Sequence, residues 1–238
     1  FIFIQMPLGY GKTFYDSSVN WMYAAEADPG LNGQRDYWPR GKVLGGSSSI
    51  NAMVYIRGSR EDYESWEAAG NTGWGWDEVL RCYRAMEDTE AGGNEFRGVG
   101  GPLPVRCGPT DFHPLYLKFV LASNKAGLPL NEDFNGATQE GVGAYQCTTW
   151  KGQRMSAARA FLRPAMKRRN VRVVTHAQVT KVLFEGRRAT GVEYLHRGVR
   201  KAALAGREVI LAGGAINSVQ LLQLSGIRPA KVLQAQGI

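Results

Sequence analysis

Two glycine pairs constrain this chain more than any other feature of its sequence. Gly45-Gly46 lies inside the run Arg40-Gly41-Lys42-Val43-Leu44-Gly45-Gly46-Ser47-Ser48-Ser49-Ile50-Asn51, and Gly213-Gly214 follows the strand-like stretch Glu208–Ala212. Glycine takes up backbone conformations closed to other residues and lets a ligand approach the main chain. In the first run, three hydroxyls and exposed N–H groups can form an anion-binding concavity, to which Arg40 and Lys42 add positive charge. A phosphate-bearing cofactor is the natural occupant. The alternative is a flexible Gly/Ser surface loop, because neither a Walker nor a GxGxxG pattern is present. In the second, a strand, a glycine turn and a helix N-terminus make a ready phosphate or ribityl site. Tight helix–strand packing is the competing explanation there.

Composition narrows the function classes. With 44% hydrophobic and 21% charged residues the chain is of ordinary globular type. No apolar run approaches the roughly 20 residues of a membrane span. The opening Phe1-Ile2-Phe3-Ile4 has no basic flank, so it is not a signal peptide and reads as a cut end. The net charge of +8 could serve an anionic partner, but Lys and Arg are spread along the chain. Their one dense patch, Lys167-Arg168-Arg169, reads as a solvated helix C-terminus, where cations favour the helix dipole. Aromatic residues do not interleave with the basic ones, so no nucleic-acid partner is expected. Cys82, Cys107 and Cys147 are sparse and odd in number, which fits a reducing compartment, hence the cytoplasm, with peripheral membrane association left open. His113, His176 and His196 form no ligand-spaced cluster, and no metal site is expected.

The chain reads as a mixture of helices and short strands. Ser59-Arg60-Glu61-Asp62 is a capping-box start for a helix presenting Tyr63, Trp66 and Ala69, with Gly70 as its stop. A second helix follows Asp77, with Val79, Leu80, Tyr83 and Met86 at helical spacing. Gly92 to Gly101 reads as a linker and a domain boundary. Leu103–Cys107 is a short strand, Pro114 opens a helix closed by Gly127, Gly141–Trp150 is a further strand, and Ser156 caps a helix to about Arg163. Val171–Thr175, Val179–Phe184, Gly191–Leu195 and Glu208–Ala212 read as strands, the middle two joined as a hairpin across Glu185–Thr190. A helix over Ser218–Leu224, ended by Gly226, closes the pattern. The fold class is therefore α/β, with an α+β admixture.

Taken together these residues resemble the glucose–methanol–choline (GMC) family of flavoprotein oxidoreductases. Tyr37-Trp38-Pro39-Arg40-Gly41-Lys42 through Asn51-Ala52-Met53-Val54-Tyr55-Ile56-Arg57-Gly58 resembles that family's first signature. Glu208–Ser218, continuing to Leu224-Ser225-Gly226-Ile227, resembles its second. Trp21-Met22-Tyr23 and Gly73-Trp74-Gly75-Trp76 also match in order, and the likeness is greatest to the bacterial choline dehydrogenase or alcohol dehydrogenase branch.

The resemblance implies a partial FAD-binding GMC fold: an FAD-binding domain in two segments, 1–98 and 155–238, around part of an antiparallel-sheet substrate domain at 99–154. It implies FAD as cofactor, with Val43, Gly45, Gly46 and Ser47 lining its phosphate and ribityl region. Asn51, Ala52, Met53 and Val54 are expected against the isoalloxazine, Val179 at the adenine, and Ala212 and Gly213 on the cofactor's other side. It implies oxidation of the CH–OH group of an alcohol or choline-like small molecule, with hydride passing to the flavin and electrons to oxygen or a quinone-like acceptor. Ile50 stands where some members carry a flavin-linking histidine, so the FAD is expected to be non-covalent. Val219 replaces a usual proline, and Arg228 a usual glycine. The family's GxGxxG unit and its catalytic histidine lie in regions this chain does not contain, and His113, His176 and His196 match neither. A fragment inactive by itself is the expectation, or, alternatively, a non-catalytic remnant or interaction module of the same ancestry.

Overall fold

Ser59 does what its sequence context requires. Its hydroxyl accepts from the Asp62 N–H while the Asp62 carboxylate accepts from the Ser59 N–H at 2.8 Å, and the helix Arg60–Ala68 begins there. Such a cap is worth about 1 kcal/mol. Gly70, at φ +97°, ends it in the left-handed conformation that suits glycine. The next helix, Trp76–Met86, lies against the first, and the Tyr63 and Tyr83 hydroxyls meet at 3.0 Å.

The computed structural model describes residues 1–106 and 113–228. Backbone packing divides the chain into two compact units, Phe1–Arg169 and Asn170–Ile238, and each is considered by itself. Helices and strands both occur, as the α/β and α+β reading requires.

In the first unit the strands are short and paired two at a time. Val54–Tyr55 pairs antiparallel with Gln146–Cys147, Thr149–Trp150 with Gln153–Arg154, and Glu87–Thr89 runs parallel to Leu103–Val105. The strand read over Gly141–Trp150 is therefore two short pieces. Cys107, the last residue of the strand read over Leu103–Cys107, lies outside the described residues. Pro114–Lys125 is a helix, with Gly127 just beyond it at φ +100°. Beyond Ser156 the chain forms one wide π turn, Ala158–Leu162, and then a short α turn, Arg163–Ala165.

The interior of this unit is as polar as it is apolar. Val19, Ile50, Met53, Tyr63, Val105 and Phe134 are buried, but so are Arg57, Glu87, Arg97, Asn135 and Arg154. A buried charge is tolerated only when paired and hydrogen-bonded. Here the pairing holds two segments in place. Glu87 takes Arg97, Arg57 and the Gly98 N–H, while Arg97 Nη1 also reaches Asp133 at 2.7 Å. The Arg57 N–H donates to Asn135 Oδ1, whose Nδ2 donates to the Tyr55 carbonyl at 3.0 Å. These bonds fix Tyr55–Arg57, the strand that leaves the first signature loop. Gly92–Gly101 is tied down by the same cluster: a Cβ on Gly98 would lie 1.8 Å from the Arg84 carbonyl oxygen.

The second unit is built on an antiparallel sheet of three strands. Arg188–His196 lies in the middle, flanked by Ala177–Glu185 and Val199–Leu204. The hairpin expected across Glu185–Thr190 is present, closed by Gly186-Arg187 with Gly186 at φ +58°. A second hairpin follows that the sequence reading lacked. Arg197-Gly198, both at positive φ, turn the chain into Val199–Leu204, as a two-residue hairpin loop demands.

Two expected strands are not formed. Val171–Thr175 and Glu208–Ala212 have strand composition but no ladder partner among the described residues, and they form no regular element. β composition stabilises a strand only against a neighbour. The last helix is longer than read, Gly214–Leu224, so Val219 lies inside it rather than at its start. Val219 is half exposed there.

Candidate active site

The first signature forms a closed loop because its own groups staple it. Lys42 N–H donates to the Val19 carbonyl at 2.8 Å, and Arg40 N–H to the buried Asn20 Oδ1 at 2.9 Å, which anchors the loop's entry. Gly45 and Gly46, at φ +91° and +55°, reverse the chain into the single turn Gly46–Ser49. Gly41 is needed for a different reason. A Cβ there would lie 2.2 Å from the Gly46 carbonyl carbon, so only a hydrogen fits between the two strands of the loop.

The three hydroxyls are largely spent inside the loop. Ser47 Oγ accepts from the Gly41 N–H at 3.1 Å, Ser48 Oγ donates to the Gly45 carbonyl at 2.6 Å, and Ser49 Oγ donates to the Leu44 carbonyl at 2.8 Å. They shape the concavity more than they line it. Arg40 and Lys42 are stacked over Trp38 and Trp21, at 5.1 and 5.2 Å from the ring centroids. Such stacking keeps their charge at the loop mouth.

Past the turn, burial alternates sharply. Ile50 and Met53 are buried, at 1% and 6% exposure, whereas Ser47, Asn51, Ala52 and Val54 are exposed. Met53 is held at φ +65°, with its N–H on Asn51 Oδ1 at 3.0 Å and its carbonyl on the Thr148 N–H at 2.9 Å. A non-glycine residue held left-handed by bonds on both sides marks a backbone whose shape is over-determined. The result is a crest, Ser47–Val54, that leaves Ser47, Asn51, Ala52 and Val54 exposed around the buried Ile50 and Met53. Beside it, Gly45, Pro102, Ala157, Ala158, Phe161 and Pro164 line an apolar recess of about 690 Å³.

Arg154 supports this crest from beneath. Its Nε donates to the Ile4 carbonyl at 2.8 Å, and its Nη1 to the Ser48 carbonyl at 3.2 Å and to Asn51 Oδ1 at 2.8 Å. It is 2% exposed, and its Nη2 is buried without a hydrogen-bond partner among the described residues. Burial lowers its pKa to about 10, so the guanidinium is still cationic at neutral pH. The sequence reading missed this residue. A lone arginine between a short strand and a helix cap carries no periodic or motif signal.

Val179, Ala212 and Gly213 belong to the second unit. Val179 is half-buried and faces Tyr194 across the hairpin ladder. Ala212 and Gly213 are exposed, and Gly213, the residue before the Gly214–Leu224 helix, has no side chain with which to cap it. Val43, Gly45, Gly46, Ser47, Asn51, Ala52, Met53 and Val54 lie together on the loop of the first unit.

The GMC oxidoreductase family profile matches residues 11–234. The chain belongs to the GMC oxidoreductase family. Among curated proteins it is 48% identical over 99% of its length to a choline dehydrogenase, mitochondrial, of Homo sapiens. It is 44% identical over 99% of its length to an alcohol dehydrogenase [acceptor] of Pseudomonas putida. The chain spans only 39% and 43% of those two proteins. Among solved structures, pyridoxine 4-oxidase from Mesorbium loti superposes with a TM-score of 0.91 at 35% identity, over 99% of this chain and 46% of that one. An FAD-dependent oxidoreductase from Chaetomium thermophilum gives a TM-score of 0.84 at 32% identity, over 92% of this chain and 40% of that one. The fold of this GMC chain is thus that of the family's flavoproteins.

None of the three histidines of the GMC chain pairs with a carboxylate among the described residues. His113 caps the Pro114–Lys125 helix, its Nδ1 accepting from the Leu115 N–H. His176 is at a left-handed turn residue, φ +53°. His196 lies beside Lys201 Nζ at 3.4 Å, and partial desolvation, with the Lys201 and Arg197 charges, holds it below the usual histidine range. No described helix is long and apolar enough to cross a membrane.

Proposed function

We propose that this chain is the flavin-facing part of an FAD-dependent oxidoreductase acting on the CH–OH group of an alcohol or choline-like small molecule. The observation that carries the proposal is the Ser47–Val54 crest, where a backbone held left-handed at Met53 leaves Ser47, Asn51, Ala52 and Val54 exposed. The residues suit the cofactor. Leu44, Val54 and Ile56 offer exposed apolar surface for a planar ring, and the unpaired Nη2 of Arg154 leaves a buried cation uncompensated nearby. Bound FAD would supply the hydride acceptor for the carbinol carbon. The chain's own groups bind and orient: Val43, Gly45, Gly46 and Ser47 the phosphate and ribityl end, Asn51, Ala52, Met53 and Val54 the ring. In the second unit, Val179 is assigned to the adenine, and Ala212 and Gly213, exposed just before the Gly214–Leu224 helix, to the cofactor's other side.

Non-covalent attachment is part of the same proposal, since Ile50 carries no nucleophile and is buried. So is the division into 1–98 and 155–238 for the flavin and 99–154 for the substrate, with electrons passing to oxygen or a quinone-like acceptor in the cytoplasm or at a membrane surface. We further propose that the chain is not catalytic alone, which the settings of its three histidines support. The test is titration of the purified chain with FAD. Saturable quenching of flavin fluorescence, with the flavin released intact on denaturation, is the expected result. Unchanged fluorescence throughout would remove the cofactor reading, and alcohol-dependent bleaching would remove the claim of inactivity.

A further inference from the structure

The carboxamide of Asn51 has only one orientation consistent with its neighbours. Its oxygen lies 3.0 Å from the Met53 N–H and 2.8 Å from Arg154 Nη1, and both of those groups are donors. An amide flipped by half a turn would aim its own N–H groups at an N–H and a guanidinium. The oxygen therefore points inward, and the two Nδ2 protons are left with no partner among the described residues on an exposed side chain. Arg154 is itself held by the Ile4 and Ser48 carbonyls, so its guanidinium cannot rotate away from Asn51 without breaking both bonds, whereas the Gly46–Ser49 turn is closed by its own hydroxyls. No carboxylate pairs with it among the described residues, which leaves its charge to polarise the amide.

We propose that Arg154 is a positioning residue that fixes the Asn51 amide so that this point of the crest is a hydrogen-bond donor to the molecule bound over it. The molecule that fits is a planar heteroaromatic with carbonyl and ring-nitrogen acceptors at its edge. Its identity as a flavin rests on the proposed function. The orientation of Asn51 does not.

The two are separated by two measurements on the whole chain. Side-chain amide resonances of Asn51, identified by their loss in N51D, are expected well outside the cluster of free asparagines in the ligand-free wild type. They move into that cluster in R154M and back out in R154K, where one ammonium can still hold the oxygen, while the Gly46–Ser49 backbone resonances stay in place. Asn51 resonances that are the same in R154M as in wild type, or the same in R154M as in R154K, overturn the proposal. Should R154M fail to fold, N51D carries the test, because the position is exposed and an aspartate accepts from Arg154 and Met53 but has no proton to donate. FAD affinity is then expected to fall about tenfold, the worth of one hydrogen bond, with a shift of the visible flavin band. Wild-type affinity and spectrum in N51D defeat the donor role. A wild type that takes up no FAD at all defeats the flavin reading, and the resonances of Asn51 still decide the role of Arg154.

Discussion

Glu87 and Arg97 face each other with both side chains fully buried, Arg97 Nε and Nη2 donating to the two carboxylate oxygens at 3.0 and 3.1 Å. The pair is two-pronged, and it is the point where three segments meet. Arg57 adds a second cation at 2.9 Å, and Asp133 takes the outer Nη1 of Arg97. Breaking such a pair from one side leaves charge in the interior with no counterpart. Glu87→Ala leaves Arg57 without a counter-charge and Arg97 with Asp133 alone, and is expected to cost about 3–5 kcal/mol. Urea denaturation of the variant measures it, and a loss below about 1 kcal/mol would show that water replaces the carboxylate.

Gly41 and Gly46 face each other across the same loop, yet they are expected to tolerate alanine very differently. At Gly41 the new methyl meets backbone at 2.2 Å, so the loop must open. At Gly46 nothing lies within 4 Å, and only the left-handed φ of +55° opposes the change, at a cost of about 1–2 kcal/mol. FAD titration of both variants should show binding lost in G41A and merely weakened in G46A. Equal loss in both would mean that backbone strain, not the close approach, controls the loop.

Asp88 couples stability to pH. Its Oδ1 accepts from the Gly100 N–H at 2.9 Å and its Oδ2 from Arg106 Nη2 at 2.9 Å, and these bonds hold its pKa below the usual carboxylate value. A carboxylate depressed by folding contributes stability that is complete above the unfolded value, about 3.9, and is lost as pH falls through the lower folded value. The group is partly exposed, so solvent screening limits the effect to at most about 1 kcal/mol. Asp88→Asn should lower the melting temperature at pH 7, by an amount that shrinks as the pH is taken further below about 3.9. A deficit that persists at the lower pH would assign the effect to lost packing instead.

What could be read from the sequence was what local chemistry decides. The Ser59 cap, the Pro114 start, the Gly127 stop and the Gly186 hairpin each follow from one or two residues whose conformational preference no distant contact reverses. The first signature loop was legible for a different reason: its resemblance to a family spans many consecutive residues. Long-range pairing was not legible. Val171–Thr175 and Glu208–Ala212 have strand composition without a ladder partner among the described residues, whereas Val199–Leu204, exposed at every residue, pairs only because Arg197-Gly198 turns it back on its neighbour. Arg154 was hidden because its partners, Ile4, Ser48 and Asn51, are far away in sequence, and no pattern links them.

Ser225 gives the second unit its own test. Ala177–Glu185 is an edge strand of the three-stranded sheet, so some of its N–H groups point away from the ladder and need another acceptor. At Val182, 2% exposed, that acceptor is the Ser225 hydroxyl at 2.8 Å, which donates in turn to the Leu221 carbonyl at 2.6 Å. One hydroxyl thus closes the C-terminal turn of the Gly214–Leu224 helix and covers the strand's open edge. Ser225→Ala leaves a buried N–H without a partner, at a cost of about 1–3 kcal/mol. Ser225→Thr keeps the oxygen and should cost less. Amide exchange at Val182 is the sharpest readout, because the exchange rate there should rise more in S225A than at ladder-bonded amides of the middle strand, such as those flanking Val192. Uniform acceleration across all three strands would mean that Ser225 supports the unit as a whole and that the edge contact has no separate worth.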